Sequence, residues 1–571
     1  MKKIATAVAL MLAVMSAGAQ TAFDAYNFSK TNYAGTARSM ALGNAMTALG
    51  GDIGAIVLNP AGSAVFNYSV VSLTPSVAVS SVRSSYSPEG EMAFGPVAST
   101  SKKQFNVPNA GAVFVLNSDD VGLKGWSFSI VCTQTDNALN FSSVSGHTNK
   151  TSLLGSLAYR MDGIAEEWFA ATDAYTRDNH VSWDLANAYK SGQVSNMFRD
   201  FYIGGNQLNG KDSQGRNIKY VPDYLSQNSE EYYYGTKNDI LLNTAMNFND
   251  NLYFGVTMGI PVSRYRYTSN VYEAAENPLS FPVKFEGGNS TYFKSASYGY
   301  NYSADYNGIY AKLGLIYRPV SFLRFGLTFQ SPTLYAINEF WNYTANVRYD
   351  NNNNGSAASP DGQYSYCLRS PYQFSFGAAL TLGNLGFISA DYEMADYSIM
   401  SFRERHGDYN VGSAYSTFGL TNEAISNFYG VSHALRIGAE IRVGAGFSLR
   451  GGYGFTTDPS LLRKNSSGYW IGVSDYESLI DEYHGGGERL SDKKYTGDKT
   501  SFFSFGLGYS SAGSFFADLA AKKTTFTSDS YILYDNYYAF DSQGDVITAF
   551  APAARMERSL WNVSLTLGWR F

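Results

Sequence analysis

Apolar and polar residues alternate along most of this chain. The carboxyl-terminal segment shows the pattern most plainly, because every second residue is apolar: Val563, Leu565, Leu567, Trp569 and Phe571. Side chains of a β-strand point to opposite faces with a period of two, so this segment has one apolar face and one polar face. Similar runs recur from residue 68 onwards and predict an all-β protein, a transmembrane antiparallel β-barrel.

Short turn signals join these runs in pairs and predict hairpins. The turns are Asn249-Asp-Asn251, Pro319-Val320, Gly383-Asn384, Gly444-Ala445, Ala512-Gly513 and the stretch 118–124. The predicted strands are 68–80, 107–117, 125–135, 238–248, 251–267, 306–318, 321–335, 370–382, 385–400, 432–443, 446–456, 500–511, 513–527 and 556–571.

These fourteen strands are joined by connections that alternate between short and long. Bacterial outer-membrane barrels have even strand numbers, short periplasmic turns and long extracellular loops. The longest connection, 136–237, is therefore predicted to be a large extracellular loop. The region 280–300 is also strand-like, but we assign it to a loop extension because one more strand would make the number odd.

Charged residues indicate which face of a strand lines the lumen. Between 434 and 443, Arg436, Glu440 and Arg442 alternate with apolar residues, and Arg450 does so on the next strand. A charge facing lipid near the bilayer midplane costs about 2–4 kcal/mol, so these side chains are predicted to face inward.

The composition agrees with a barrel. The chain contains 45 Tyr, 37 Phe and 7 Trp, while only 16% of its residues are charged. Membrane barrels need aromatic girdles at both bilayer interfaces. A soluble β-sandwich or propeller is the alternative for an aromatic-rich chain. The net charge of −6 argues against nucleic acid as a partner.

Residues 1–20 have the features of an export signal. Lys2 and Lys3 precede an apolar run, and small residues follow at 16–19. With the predicted barrel, this places the protein in a Gram-negative type of outer membrane, in contact with its lipid. Trp569 and Phe571 resemble the terminal signal by which the barrel assembly machinery recognises its substrates.

The segment 21–67 lacks strand-like alternation and is rich in Ala, Gly, Asn and Met. Barrels of sixteen strands leave an open channel, and fourteen is close to that size. A compact segment before the first strand is therefore predicted to act as a plug, or hatch, in the lumen of the barrel 68–571. For Asn59-Pro60-Ala61-Gly62 an ordinary turn is the alternative.

Asn59-Pro60-Ala61-Gly62, after an Ala/Gly-rich stretch and before the first strand, resembles the plug region of the FadL/TodX family. The segments 308–326 and 433–453 are similar to that family as well. Its members are outer-membrane transporters of long-chain fatty acids and aromatic hydrocarbons. The resemblance implies a fourteen-strand barrel with an amino-terminal hatch, gating by residues 59–62, and ligand exit sideways through the wall. Loop contacts cannot be transferred, because the loop 136–237 departs from the family in size.

Candidate ligand-binding residues follow from the needs of a fatty acid. Seven apolar or aromatic residues in or near the plug could contact an apolar tail: Phe23, Tyr26, Phe28, Tyr33, Met40, Leu42 and Met46. Packing of the plug explains them equally well. Arg436 and Arg450 could bind a carboxylate. Pairing with nearby acids such as Glu440, Asp391 and Glu393 is the favoured alternative for any one of these cations.

The expected function is passive uptake of hydrophobic molecules, most of all long-chain fatty acids, without catalytic residues, metal or cofactor. Alternatives are uptake of haem or aromatic hydrocarbons, and a non-transporting secretion or surface-assembly barrel. A monomer is compatible with the sequence. Cys132 and Cys367 are expected to be free thiols, with a disulfide as the alternative, and the calcium-loop-like stretch 350–361 lacks the usual final Glu.

Overall fold

The computed structural model describes residues 21–88, 95–118, 122–170, 181–284, 290–405, 418–477 and 490–571. The predicted export signal 1–20 lies outside these ranges. None of the helices in the described part of the chain is both long and apolar enough to cross a membrane.

Fourteen strands in the described ranges form one closed antiparallel sheet, and four of them are interrupted. They are β1 Val70–Ser87, β2 Val97–Asn117, β3 Leu123–Asn137, β4 Leu225–Phe248, β5 Leu252–Ala275, β6 Ser290–Val320, β7 Leu323–Gln330 with Leu334–Tyr349, β8 Gly362–Arg369 with Gln373–Thr381, β9 Gly386–Asp396 with Ser401–Glu404, β10 Val431–Gly444, β11 Phe447–Thr457, β12 Lys499–Ser510, β13 Phe515–Thr525 with Asp529–Ile532, and β14 Ala553–Arg570.

Each strand pairs with its neighbours in sequence, and the last strand closes the ring on the first. Along β1, the register with β14 runs from Val70 opposite Arg570 to Ser87 opposite Ala553. A closed sheet has no edge strand, which is the condition for crossing a bilayer. The predicted fourteen-strand barrel is confirmed.

The hairpin turns lie at or within two residues of their predicted positions; the largest shift is between β6 and β7, where the chain turns at 321–322 and not at Pro319-Val320. Between β4 and β5, Asn249 and Asp250 have φ values of 54° and 58°. Positive φ at both central residues is the signature of the tight turn that suits twisted hairpins. We call the barrel end with these short turns the inner end, and the opposite end the outer end.

The strands are longer than predicted at the outer end, and the assignment of 280–300 to a loop extension was wrong in part. Residues from Ser290 onwards continue directly into β6, which runs to Val320. The number of strands stays even because this stretch lengthens an existing strand. The sequence pattern did not reveal this continuation, because the outward residues there are polar and the inward ones are often tyrosines. The apolar/polar alternation is therefore weak in this stretch.

The outer surface divides into two zones. Near the inner end it is an apolar band of exposed side chains, including Ile240, Leu242, Phe254, Met258, Leu313, Ile437, Leu449 and Phe505. Further out the same strands turn polar, with an exposed Arg264–Asp305 ion pair at 2.7 Å. Crossing a bilayer takes about 9–11 strand residues, so the outer part of β4–β7 stands beyond the membrane.

Residues 21–66 lie inside the barrel and contact its inward-facing side chains. They form α1 Ala22–Ser29, α2 Ala37–Ala41 and two 3₁₀ helices, Ile53–Ala55 and Pro60–Val65. Thr21 and Asp24 form a capping box at α1. The side chains of Thr36, Asp52 and Asn59 cap the other three helices. We call these residues the lumenal segment.

The long connections build a crown at the outer end. Its helices are α3 Leu153–Met161, α4 Glu166–Ala170, α5 Trp183–Lys190 and α6 Gly419–Phe428, with 3₁₀ turns at Pro278–Ser280 and Tyr397–Ile399. Its strands are Asn140–Thr148, Val194–Phe198, Phe201–Gly204, Leu208–Lys211, Asn217–Tyr220, Pro282–Lys284, Gly355–Ala358, Leu461–Lys464, Trp470–Ile471, Ser491–Tyr495, Tyr537–Phe540 and Val546–Ala549.

Apolar side chains from this crown fill much of the outer lumen. Leu153, Leu154 and Leu157 of α3 pack with inward-facing residues such as Tyr298 and Val347. A second cluster joins α1 and α6 to the inner faces of β6–β9. The lumen is therefore packed over β5–β9.

Candidate functional site

A cavity of about 330 Å³ lies between the lumenal segment and the wall, on the side that the crown clusters leave open. This volume is at the small end of ligand sites, which span about 300–1,000 Å³. Aromatic side chains line it: Phe23, Tyr26, Tyr33, Tyr233, Tyr265, Phe502 and Phe526. We call it the outer cavity.

Lys522 on β13 is the most distinctive polar group of this cavity. Its side chain is buried, with Nζ 4.3 Å from the centre of the Phe502 ring. Its hydrogen-bond acceptor is Asn32 Oδ1 at 3.5 Å, and among the described residues no carboxylate forms an ion pair with it. A buried ammonium without a counter-ion is costly, so this position favours an anionic group in the cavity.

Arg436 also borders the outer cavity, but its charge is already neutralised. Its guanidinium donates to both oxygens of Glu393 at 3.1 and 3.3 Å. It also lies 5.6 Å from the centre of the Tyr33 ring. A paired, bidentate arginine is held in place and offers less attraction to a ligand than Lys522 does.

The wall beside this cavity has a break in its backbone ladder. Strands β2 and β3 are paired only up to Asn109 and Thr133. Above these residues, amide side chains bridge them, with Asn106 donating to Gln134 at 2.9 Å and Asn137 donating to Gln104 at 3.2 Å. We call this stretch the side seam.

Proline explains why the ladder stops there. Pro108 lacks the N–H that a central strand needs, and Pro75 lies in the irregularity of the β1–β2 register. Outward-facing Phe105 and Val107 are exposed beside the seam, so it opens within the apolar band.

Polar groups at the base of the seam are left without partners. Both side-chain polar atoms of Asn109 and the hydroxyl of Thr133 are buried without a hydrogen bond in the described part of the structure. Such groups are rare in a stable wall and mark a place where water or a ligand belongs.

The lumenal segment touches β3 at this same level. The N–H of Asn32 donates to the Thr135 carbonyl at 2.6 Å, and that of Ala34 to the Gln134 carbonyl at 3.1 Å. These bonds occupy part of the β3 edge that β2 leaves free. Movement of residues 32–34 would therefore change the seam directly.

The predicted gating residues, Asn59 to Gly62, are fastened to the wall. Asn59 is fully buried, and its amide donates to the carbonyls of Thr47 at 2.6 Å and Leu315 at 3.1 Å. Wall glycines make this approach close: a Cβ on Gly314 would lie 2.1 Å from Asn59 Oδ1. Gating by this segment stays a prediction, and it would require breaking these bonds.

Of the other predicted ligand residues, Phe23, Tyr26, Tyr33 and Arg436 border the outer cavity. The other candidates for the tail lie elsewhere. Phe28 packs against Tyr306, with ring centres 4.9 Å apart. Leu42 and Met46 belong to a buried cluster of the lumenal segment, and Met40 packs in a small one with Ala520. Their tail-binding role stays a prediction, while their packing is evident.

Arg450 lies on the other side of the lumenal segment. It pairs with Glu440 at 2.7 Å and with Asp518, and Glu440 in turn pairs with Arg38 of α2 at 3.1 Å. This ion-pair network borders a second, polar cavity of about 330 Å³ near the inner end. Glu440, Asp518 and the Arg450 side chain are nearly inaccessible to solvent, Arg38 is partly buried, and the network ties α2 to the wall.

The terminal aromatic residues face outward near the inner end. Trp569 and Phe571 are exposed, and Trp569 contacts Phe515 with ring centres 5.3 Å apart. Their role as an insertion signal stays a prediction. Cys132 and Cys367 are free thiols, and no metal-binding cluster of acids, His or Cys occurs in the described ranges.

Sequence reasoning missed Lys522 and the side seam. Lys522 lies on the same face of β13 as the buried Ala520 and Thr524, two residues away on either side, so period-two analysis could have placed it in the lumen. Pro108 within a predicted strand could have indicated a break in pairing.

No protein-family model matches this chain, and no curated protein matches it. Among solved structures it is similar to a Pseudomonas aeruginosa FadL homologue, with 12% identity, a TM-score of 0.46, and coverage of 95% of this chain and 98% of the other. It is also similar to the P. putida toluene transporter TodX, with 11% identity, a TM-score of 0.44, and coverage of 94% and 98%.

The Ralstonia pickettii toluene transporter TbuX is similar at 13% identity, with a TM-score of 0.43 and coverage of 94% of this chain and 98% of the other. Two of these structures carry the names of the family that the sequence resembles. All three TM-scores are below 0.5, so the function has to follow from the geometry of this chain itself.

Proposed function

We propose that this protein is an outer-membrane channel for passive inward diffusion of hydrophobic molecules, with long-chain fatty acids as the first ligand class. One observation carries the proposal: an aromatic cavity with an unpaired buried lysine lies directly beside a seam in the barrel wall. A fatty acid has the matching parts, an apolar tail and one carboxylate.

The ligand-binding step follows from the cavity. Aromatic rings such as Tyr26, Tyr265 and Phe502 contact the tail, and burial of its surface drives binding. The Lys522 ammonium pairs with the carboxylate in surroundings from which water is excluded. A hydrogen bond to a charged group contributes about 1.5–3 kcal/mol.

The exit step follows from the seam. Asp136 and Asn137 at the end of β3 border the outer cavity, so a bound ligand is next to the wall opening. Displacement of residues 32–34 frees the edge of β3, and the amide bridges give way more easily than a backbone ladder. The ligand then leaves sideways into the membrane, as the resemblance to the FadL/TodX family implies, while the floor around Asn59 remains closed.

Neighbouring lysines provide a matched test of the binding step. Lys522→Met removes the buried ammonium, whereas Lys523→Met removes one that faces outward beside Trp561. We expect Lys522→Met to raise the Kd of purified protein for oleate about tenfold or more, and Lys523→Met to leave it unchanged. Equal affinities for both variants would contradict a carboxylate site at Lys522.

A covalent bridge across the seam tests the exit step. Cys132 and Cys367 are first replaced by Ser, and Asn106→Cys with Gln134→Cys are then joined by a bifunctional methanethiosulfonate reagent, which spans the gap left by the two amide side chains. Bridged protein should still bind oleate but should not support its uptake by cells, and reduction should restore uptake. Undiminished uptake by the bridged form would place the exit elsewhere.

Aromatic hydrocarbons such as toluene serve as a second probe because they lack a carboxylate. If Lys522→Met abolishes uptake of oleate but not of toluene, both ligands use one path and Lys522 contacts only the anionic group. If the protein folds normally but cells take up neither ligand faster than cells without it, the transport function is overturned. Haem uptake or a surface-assembly role would then be favoured.

A further inference from the structure

A second opening in the wall lies between β12 and β13. Their backbone pairing ends at Ser501 opposite Thr525. Beyond that point the chain of β12 is preceded by Ser491–Tyr495, which pairs with Leu461–Lys464, while β13 resumes at Asp529–Ile532 and pairs with β14. The two strands therefore diverge, and the wedge between them is called the notch.

The base of the notch is closed by one side chain. Thr527 Oγ1 accepts a hydrogen bond from the Lys499 N–H at 3.0 Å and donates one to the Lys499 carbonyl at 2.9 Å. Above this clamp, Asp498, Ser528 and Asp529 border the outer cavity. The notch is thus a mouth of the same cavity that contains Lys522.

The outward surface just below the notch has the composition of a membrane interface. Phe503 and Trp561 form an edge-to-face pair at 5.8 Å on the outside of the barrel. Lys523 lies 5.8 Å from the Trp561 ring and Lys499 lies 6.0 Å from that of Phe455. Aromatic rings with lysines beside them are typical of the headgroup level of a bilayer.

This places the mouth close to the outer leaflet. Lys499 is four positions before Phe503 in the chain, which corresponds to about 13 Å along a strand. The crown side differs, because apolar clusters fill the lumen over β5–β9. Of the described residues, none from α3 or α5 borders the outer cavity.

We propose that the notch is the entrance of the outer cavity and that it receives amphipathic molecules from the headgroup level of the outer leaflet, not from the solution above the crown. An amphipathic acid concentrates at that level with its carboxylate near the lysines. From there its tail can slide past Ser528 toward the aromatic rings of the cavity. This inference rests on the proposed transport function and adds the source and the route of the ligand.

A reversible bridge across the notch tests the entrance. In a chain with Ser at positions 132 and 367, Asp498→Cys and Ser528→Cys are joined by a bifunctional methanethiosulfonate reagent. Lys211→Cys with Asn217→Cys, opposite each other in an exposed crown hairpin, serves as the matched control. The protein is reconstituted into vesicles, and oleate is supplied in the outer leaflet.

We expect the notch bridge to abolish oleate binding in the outer cavity, so that the signal falls to that of Lys522→Met, and reduction to restore it. The crown bridge should have no effect. Unchanged entry with the notch bridged would overturn the proposal, since the ligand would then use another mouth. Failure of the transport function itself looks different: the unbridged protein would neither bind nor move oleate.

The way in which oleate is presented provides a second, independent readout. Oleate dissolved in the vesicle membrane should reach the cavity faster than the same amount carried by albumin in solution. Faster delivery from albumin, or equal rates from both sources, would contradict an entrance at the membrane surface even if the bridged variants fold poorly.

Discussion

The lumenal segment and the crown fill the same barrel with different kinds of contact. Against the lumenal segment, the wall presents many polar groups and glycines beside apolar residues such as Val113 and Leu241. Arg324 donates to the Leu49 carbonyl at 2.9 Å, Lys312 to that of Val57 at 2.7 Å, and Ser389 to that of Ala45 at 2.7 Å. Against the crown, the wall presents mainly apolar side chains, and Leu154 of α3 is fully buried among them.

The difference teaches which part can rearrange. Water can replace a hydrogen bond between a side chain and a carbonyl, so the net cost of exchanging one is only about 0.5–1.5 kcal/mol. Apolar surface exposed by a moving crown has no such replacement and costs about 25 cal/mol per Å². We therefore expect a fixed crown and a lumenal segment whose upper part moves during transport.

The largest effect should come from the ion-pair network. Arg450→Met leaves Asp518 and Glu440 buried with fewer partners, which costs about 3–5 kcal/mol. Thermal unfolding in detergent measures the loss, and Arg264→Met is the matched control because its pair with Asp305 is exposed and contributes about 0–1 kcal/mol. Equal melting temperatures of the two variants would show that the network does not hold the lumenal segment.

The second-largest effect is expected from a substitution in the crown. Leu154→Ala removes a fully buried side chain of α3 and should destabilise the crown by about 2–5 kcal/mol. Tyr159→Ala, on the exposed side of the same helix, should have little effect. Hydrogen exchange of the α3 amides separates the two. Loss of oleate uptake in Leu154→Ala would break the comparison, since a fixed crown outside the route should not affect transport.

The pH should act on the crown through Glu273. Its buried carboxylate accepts from the Leu153 N–H at 3.0 Å and from the amides of Asn206 and Gln227. Burial raises its pKa to about 7, from 4.5. The docked crown therefore binds the proton more tightly than an opened crown does, and stability is lost as the pH rises from 4.5 to about 7.

In this window, opening of α3 should increase by up to about tenfold per pH unit, with no further change above it. Hydrogen exchange corrected for its intrinsic pH dependence is the measurement. Glu273→Gln should abolish the dependence. A profile that is the same with and without this carboxylate would assign the effect to another acid of the crown, such as Asp535, whose pKa is also raised by burial.

The smallest expected effect comes from a methyl group on the wall. A Cβ on Gly452 would lie 2.3 Å from the Gly43 nitrogen, whereas one on Gly451 meets its nearest atom at 4.0 Å. Gly452→Ala should displace the lumenal segment at a cost of about 1–3 kcal/mol and raise ion conductance in a planar bilayer. Gly451→Ala, one residue away and facing outward, should change neither. Equal conductance would mean that the segment yields without opening a path.

Much of the fold was accessible to sequence reasoning because it depends on local patterns. Alternation identified all fourteen strands, and Asn249-Asp250 indicated a tight turn that the positive φ values confirm. Alternation also placed Arg436 and Glu440 in the lumen. It could not identify the outer halves of β5 and β6. Both faces of the strands contact water or polar groups there, so the two faces differ less in hydrophobicity.

The sequence by itself thus determined the number of strands, the faces of each strand and the presence of a non-strand segment before the first. Only the tertiary structure decided which lumenal charges are paired, where the ladder between β2 and β3 stops, and that Lys522 is left facing a cavity. The physical reason is distance along the chain. Period two is read within ten residues, whereas an ion pair such as Arg38–Glu440 depends on how a segment hundreds of residues away is seated in the closed barrel.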